Sequence, residues 1–259
     1  MPVEQPTVPT TGVWGLPEAA FGWLMGQFIG VFAFVGVLSL GDWTSFAPTR
    51  PGGHIGRVVG QLGSGAEPND ATIPLLWQML SLAPAWIGLL GGTWLLAKAM
   101  GRATPGWRME FEPSDLGRGV LAGVLLQVPA IPVLYFIITS LLGDLELSGR
   151  ALSLTDRVDS PIEIAAIFLF VAVGAPVVEE LFYRGLVQRR LVDRFGPVVG
   201  IGVAGLIFGA VHLSWIELPA LTLVGVVFGW LAWSTGRLGP AIIAHMTFNA
   251  FTLIALLAT

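Results

Sequence analysis

The sequence predicts an all-α protein, a polytopic transmembrane helix bundle of about seven spanning helices. Three observations carry that prediction. Hydrophobic residues make up 54% of the 259-residue chain and charged residues only 12%, about half the charge of a soluble domain. The apolar residues are gathered into blocks long enough, or nearly long enough, to cross a bilayer, for which about 20 residues are needed. In lipid the backbone must satisfy its own hydrogen bonds, so runs of this length are helices.

The blocks are 19–40, 73–97, 118–142, 162–182, 197–214, 218–234 and 239–257. Residues 1–18 are Pro/Thr-rich at their start, carry no basic n-region, and are expected to form a disordered tail rather than a signal peptide. Residues 19–142 are expected to be N-terminal transmembrane helices, 143–161 an outer loop with Asp144, Glu146, Asp156 and Asp159, and 162–259 a core. The loop 41–72 is Gly/Pro-rich. The 34 glycines count against a soluble helical protein but suit close helix packing in membranes, as in the small-xxx-small pairs Gly200/Ala204 and Gly205/Gly209.

Several function classes drop out. There is no cysteine, hence no disulfide, thiolate zinc finger or Cys nucleophile. A net charge of −4 gives no footprint for nucleic acid. No GxSxG, HExxH or phosphate loop is present. With seven spans, one side holds Lys98, Arg102, Arg108, Arg118, Arg184, Arg189, Arg190, Arg194 and Arg237, and the other only Arg50, Arg57, Arg150 and Arg157. The positive-inside rule then places the N-terminus in the cytoplasm. The strong preference for Arg over Lys points to a GC-rich bacterial coding sequence, hence a bacterial plasma membrane.

Ionisable residues inside spans are functional candidates. They are Glu179 and Glu180 with Arg184, then His212, then His245 with Asn249. Glu180 and Arg184 are four apart and can pair on one helix face. Glu179 points about 100° away and needs another partner. His245 and Asn249, also four apart, form one polar stripe that could equally be helix-to-helix glue. Spans four and five make a hairpin around 194–197. Glu179 and His212 each lie 15 residues from that turn, roughly 22 Å at the helical rise, so they can face each other. All these groups can converge in a cavity that opens toward the cytoplasm.

A carboxylate beside a histidine can hold and deprotonate water. A second histidine and an amide can donate to a developing oxyanion. Two histidines and a glutamate can instead bind zinc with a position left for water. Either scheme hydrolyses an amide or ester. A proton-coupled transporter is the competing use of such residues, though no inverted repeat supports it.

The elements Glu179-Glu180-xxx-Arg184, Phe208-xxx-His212 and His245-xxx-Asn249, in this order on apolar helices, resemble the CPBP family of CAAX proteases and bacteriocin-processing enzymes, type II CAAX prenyl endopeptidases among them. The resemblance covers residues 160–257 and implies an all-helical intramembrane protease. It implies Glu179 and His212 as water activators, His245 and Asn249 as oxyanion stabilisers, and Glu180 and Arg184 as supporting residues. Glu179, His212 and His245 are the candidate ligands if a zinc ion is used. Its substrate would be a membrane-associated or lipidated peptide or protein in the bilayer. No eighth span follows the third element, and the first 160 residues carry no matching signature. Some bacterial relatives resemble immunity or surface-display factors, so a non-catalytic scaffold is the alternative.

Overall fold

The computed structural model describes residues 15–40, 75–80, 82–100, 109–143, 158 and 160–258. Among these residues there are helices and no strand. The expected disordered tail, apart from its last residues, the loop 41–72 and most of the acidic outer loop lie outside them. The helices are α1 (Leu16–Leu40), α2 (Leu75–Leu80), α3 (Leu82–Ala99), α4 (Pro113–Leu125), α5 (Ile131–Leu142), α6 (Pro161–Ile167), α7 (Ala175–Phe182), α8 (Arg189–Ala210), α9 (Leu218–Thr235) and α10 (Gly239–Leu257). Three π-helical stretches join neighbours end to end: Leu126–Ala130, Phe168–Gly174 and Tyr183–Gln188.

The chain is a multi-pass membrane protein, but the expected count of seven spans is not confirmed. Four described stretches are long and apolar enough to cross: Pro113–Leu141, Pro161–Ala210, Leu218–Thr235 and Gly239–Leu257. The first and second expected segments are not among these four, and the fourth and fifth run on as one helical stretch. That stretch folds back at Gly196, whose φ of 78° and ψ of 168° are open to glycine and costly for other residues. The arms then approach closely: a Cβ at Gly200 would lie 2.5 Å from the Val192 backbone nitrogen. The second arm ends at Ala210, before the expected 214, so His212 sits in the turn 211–217 rather than inside a span.

Small residues set the helix pairing, as lipid offers little hydrophobic drive to bring helices together. Gly22, Gly26 and Gly30 of α1 face Thr93, Leu89 and Ala85 of α3. One series rises as the other falls, so the pair is antiparallel. Gly119 and Gly123 of α4 face Ile243 and Thr247 of α10, a parallel pair. Gly205 and Gly209 of α8 face Val226 and Thr222 of α9, antiparallel again. The core between α7, α8, α9 and α10 holds Phe182, Leu186, Phe208, Phe228 and Ile242. Large apolar side chains such as Phe136, Leu141 and Val198 point outward, as expected of a surface solvated by acyl chains.

A charged clamp ties the start of α4 to the turn before α10. Arg237 Nη2 lies 2.6 Å from Asp115 Oδ1 and 2.8 Å from Glu112 Oε2, and its Nε donates to Asp115 Oδ2 at 2.9 Å. Asp115 also accepts the Glu112 N–H at 2.9 Å, half of a capping box. The bidentate fork-to-carboxylate geometry is the strong form of this contact, and Asp115 is fully buried. Removing one member of a buried pair strands the other. Arg237→Ala should therefore cost about 3 kcal/mol in reversible unfolding in detergent. A loss below about 1 kcal/mol, typical of exposed pairs, would show that the clamp is solvated.

Candidate active site

The site is built where the stretch 161–195 meets α10. Its backbone is irregular on both sides of the glutamates. The π-helical stretch Phe168–Gly174 precedes α7 and another, Tyr183–Gln188, follows it. Such bulges add a residue to the helical path and recur at functional sites. Pro176 near the start of α7 fits this pattern, as it has no N–H to offer the preceding turn.

The two adjacent glutamates occupy different environments. Glu180 has a side-chain exposure of 0% and Glu179 of 25%. The expected Glu180–Arg184 pair forms, Oε1 to Nη1 at 3.1 Å, as an ion pair rather than an aligned hydrogen bond. Arg184 donates from Nη2 to the Gly225 carbonyl at 3.1 Å. Its guanidinium stacks 4.5 Å over the Phe208 ring and 5.7 Å over that of Phe228. One turn further, Gln188 Nε2 donates to the Gly229 carbonyl at 2.9 Å. Gly229 leaves α9 open for the Gln188 side chain, which a Cβ there would strike, whereas Gly225 lets α9 close on Gly205 of α8.

The structure brings His245 to both glutamates. Its Nδ1 is 2.9 Å from Glu180 Oε1, and its Nε2 is 3.9 Å from Glu179 Oε2. A carboxylate accepts, so Nδ1 carries the proton and Nε2 is turned toward Glu179. The Phe228 and Phe208 rings, 4.9 and 5.7 Å away between centroids, wall in the imidazole. His212 approaches from the end of α8. Its Nδ1 donates to the Phe208 carbonyl at 2.7 Å and its ring lies edge-on to Phe208 at 5.0 Å. A neutral His212 therefore presents Nε2 as its acceptor. Phe208 touches both histidines and Arg184, so it is the common wall of the cluster. Asn249 is on the same α10 face as His245, but its Nδ2 donates to the Val171 carbonyl at 2.9 Å.

Sequence reasoning missed three contacts. It gave Glu180 to Arg184 alone, whereas His245 shares the same oxygen. It did not foresee the Val171 carbonyl as a partner of Asn249. Tyr183, fully enclosed between Phe182 and Phe208, also went unnoticed, although its place in ELFYRG beside the motif could have flagged it. Among the described residues no three His, Asp or Glu side chains are grouped to hold a metal.

Comparison with known proteins adds to this geometry. Residues 161–251 match the family described as Rce1-like, type II CAAX prenyl endopeptidase Rce1-like. The resemblance read from the three motifs is thus borne out. The matched residues contain every member of the cluster, and the matched family is one of membrane proteases. The chain is also 26% identical over 107 residues to "Putative membrane peptidase YdiL" of Bacillus subtilis (strain 168), a match covering 41% of this chain and 44% of that protein. The chain thus spans less than half the length of that curated relative. No solved structure matches the chain.

The division between the glutamates is measurable. Glu180→Ala strands the Arg184 guanidinium in the core and should cost about 3–5 kcal/mol in detergent unfolding. Glu179→Ala should cost less than about 1 kcal/mol, as for a partly exposed side chain outside the packed core. Equal losses would contradict the division.

Proposed function

We propose that the protein is an intramembrane endopeptidase that hydrolyses peptide bonds of membrane-associated or lipidated peptide substrates. The observation that carries this reading is the pair formed by Glu179 and His245 across 3.9 Å, inside a helix bundle and with His212 at the same wall. That separation is too long for a direct hydrogen bond, so the accessible carboxylate and the imidazole face each other without being bonded.

In this mechanism Glu179 and His212 hold the water. Glu179 takes a proton as the water oxygen attacks the scissile carbonyl carbon, and the carbonyl oxygen becomes an oxyanion. The remaining N–H of the Asn249 amide donates to that oxyanion, and so does His245 when its Nε2 carries a proton as well as Nδ1. Its collapse breaks the C–N bond, and the proton held by Glu179 passes to the departing amine. Glu180 fixes the His245 ring through Nδ1, and Arg184 holds the Glu180 carboxylate in place. Zinc would be the alternative way to activate the same water, but Glu179, His212 and His245, which would have to hold it, are not grouped as a metal site among the described residues.

The test is hydrolysis of a membrane peptide library by the purified protein in detergent. Glu179→Ala and His212→Ala should each lower kcat by about 10²–10⁴-fold, the worth of a positioned acid–base group. His245→Ala should lower it about 10²–10³-fold, as loss of an oxyanion donor does. Cleavage that survives both Glu179→Ala and His212→Ala would sink the site. Activity lost to a chelator and restored by zinc would select the metal scheme, whereas activity indifferent to both would select the water scheme. Wild type that folds but cleaves nothing would favour the non-catalytic scaffold.

We also propose that the N-terminus is cytoplasmic and that the site opens to that side of a bacterial plasma membrane. The cysteine-free chain makes the check direct. A single cysteine replacing Arg194 should react with an impermeant maleimide only after the cells are opened. Labelling of intact cells would reverse the orientation.

A further inference from the structure

The π-helical stretch Phe168–Gly174 ends with the Ala175 N–H donating to the Phe170 carbonyl, five residues back. One step further in the same register, residue 176 would donate to the Val171 carbonyl. Residue 176 is proline, which has no N–H. A carbonyl left without a donor in an apolar helix costs free energy comparable to a lost hydrogen bond. The Asn249 amide donates to this carbonyl, Nδ2 to Val171 oxygen at 2.9 Å, from a helix 78 residues further along the chain.

We propose that Asn249 is a positioning residue whose amide replaces the N–H that Pro176 lacks, and so holds the irregular turn that aims Glu179 and Glu180. The two glutamates follow Pro176 within about one helical turn. If the bulge closed to regular helix, the path would lose one residue and everything beyond would rotate by about 100°. That is the angle between Glu179 and Glu180. The buried, His245-paired face would then carry the wrong carboxylate. The contact is to backbone, so it acts before any substrate is bound. It is compatible with the oxyanion role, because a primary amide has two N–H groups. It does not depend on that role.

Hydrogen exchange across 171–182 and thermal unfolding, both in detergent, test the proposal without requiring turnover. Asn249→Ala should raise exchange in this stretch about tenfold, as for the loss of one hydrogen bond, and lower Tm. Asn249→Leu should behave the same way, because its side chain has no N–H to donate. The double variant Pro176→Ala/Asn249→Ala should return exchange to within about twofold of wild type, since an alanine in place of the proline again offers an N–H to the Val171 carbonyl. Exchange unchanged in Asn249→Ala, or a double variant as labile as the single one, would overturn it. If Asn249→Ala does not accumulate, accumulation of the double variant is the same rescue, and its failure to accumulate is the same refutation. A protein that shows the rescue but cleaves no peptide would keep this inference while losing the proposed activity.

Discussion

The Glu180 carboxylate is the contact on which the rest of the site depends. A single buried oxygen, Oε1, meets Arg184 at 3.1 Å and His245 at 2.9 Å. Removing a carboxylate from water costs several kcal/mol even after relaxation, so it persists only where partners surround it. Those partners come from separate elements: Arg184 from the π-helical stretch after α7, and His245 from α10. Arg184 in turn needs the Gly225 carbonyl of α9 and the faces of Phe208 and Phe228. Four helical elements are therefore fixed relative to one anion. Apolar packing alone could slide one helix past another, but this pair cannot move by a turn without exposing a charge to lipid.

That constraint explains why the backbone is irregular where it is. A regular helix through 161–195 would present side chains at a fixed 100° step. The two bulges around α7 change the step before and after the glutamates, and the small residues of the facing helix let the side chains reach. At Gly229 an added Cβ would collide with Gln188 Oε1. At Gly174 it would meet the Trp86 ring at 2.5 Å, which itself stacks on Phe170. The helices α3 and α10 thus both pack against the bulge. The distortion is held from outside as well as by the bond from Asn249.

What the sequence could reveal depended on how local the contact was. Glu180 with Arg184 is an i,i+4 pair, and the helix period alone predicts it. Composition and block length were enough for an all-helical membrane protein. The hairpin at 194–197 was legible because Gly-Pro after a charged run is strong local punctuation. The contact of His245 with Glu180 spans 65 residues and that of Arg237 with Asp115 spans 122, and no periodicity carries such distances. The π-helical stretches are invisible to any fixed period, because each breaks the period used to find helices. Hydropathy also misplaced His212: Val211, Leu213 and Trp215 are apolar, so the block ran past the true helix end at Ala210.

The adjacent glutamates sharpen the functional argument. A residue whose carboxylate is wholly buried, paired with a guanidinium and bonded to an imidazole is committed to holding the site together. Its neighbour is partly open, lies beside the far nitrogen of the same imidazole, and has no guanidinium of its own among the described ion pairs. A base must exchange protons with water and substrate, so it needs access that Glu180 lacks. One imidazole bridges the two environments, held at Nδ1 by the structural carboxylate and turned at Nε2 toward the accessible one. The polarity of that histidine, rather than the glutamate pair as such, is what makes the cluster directional.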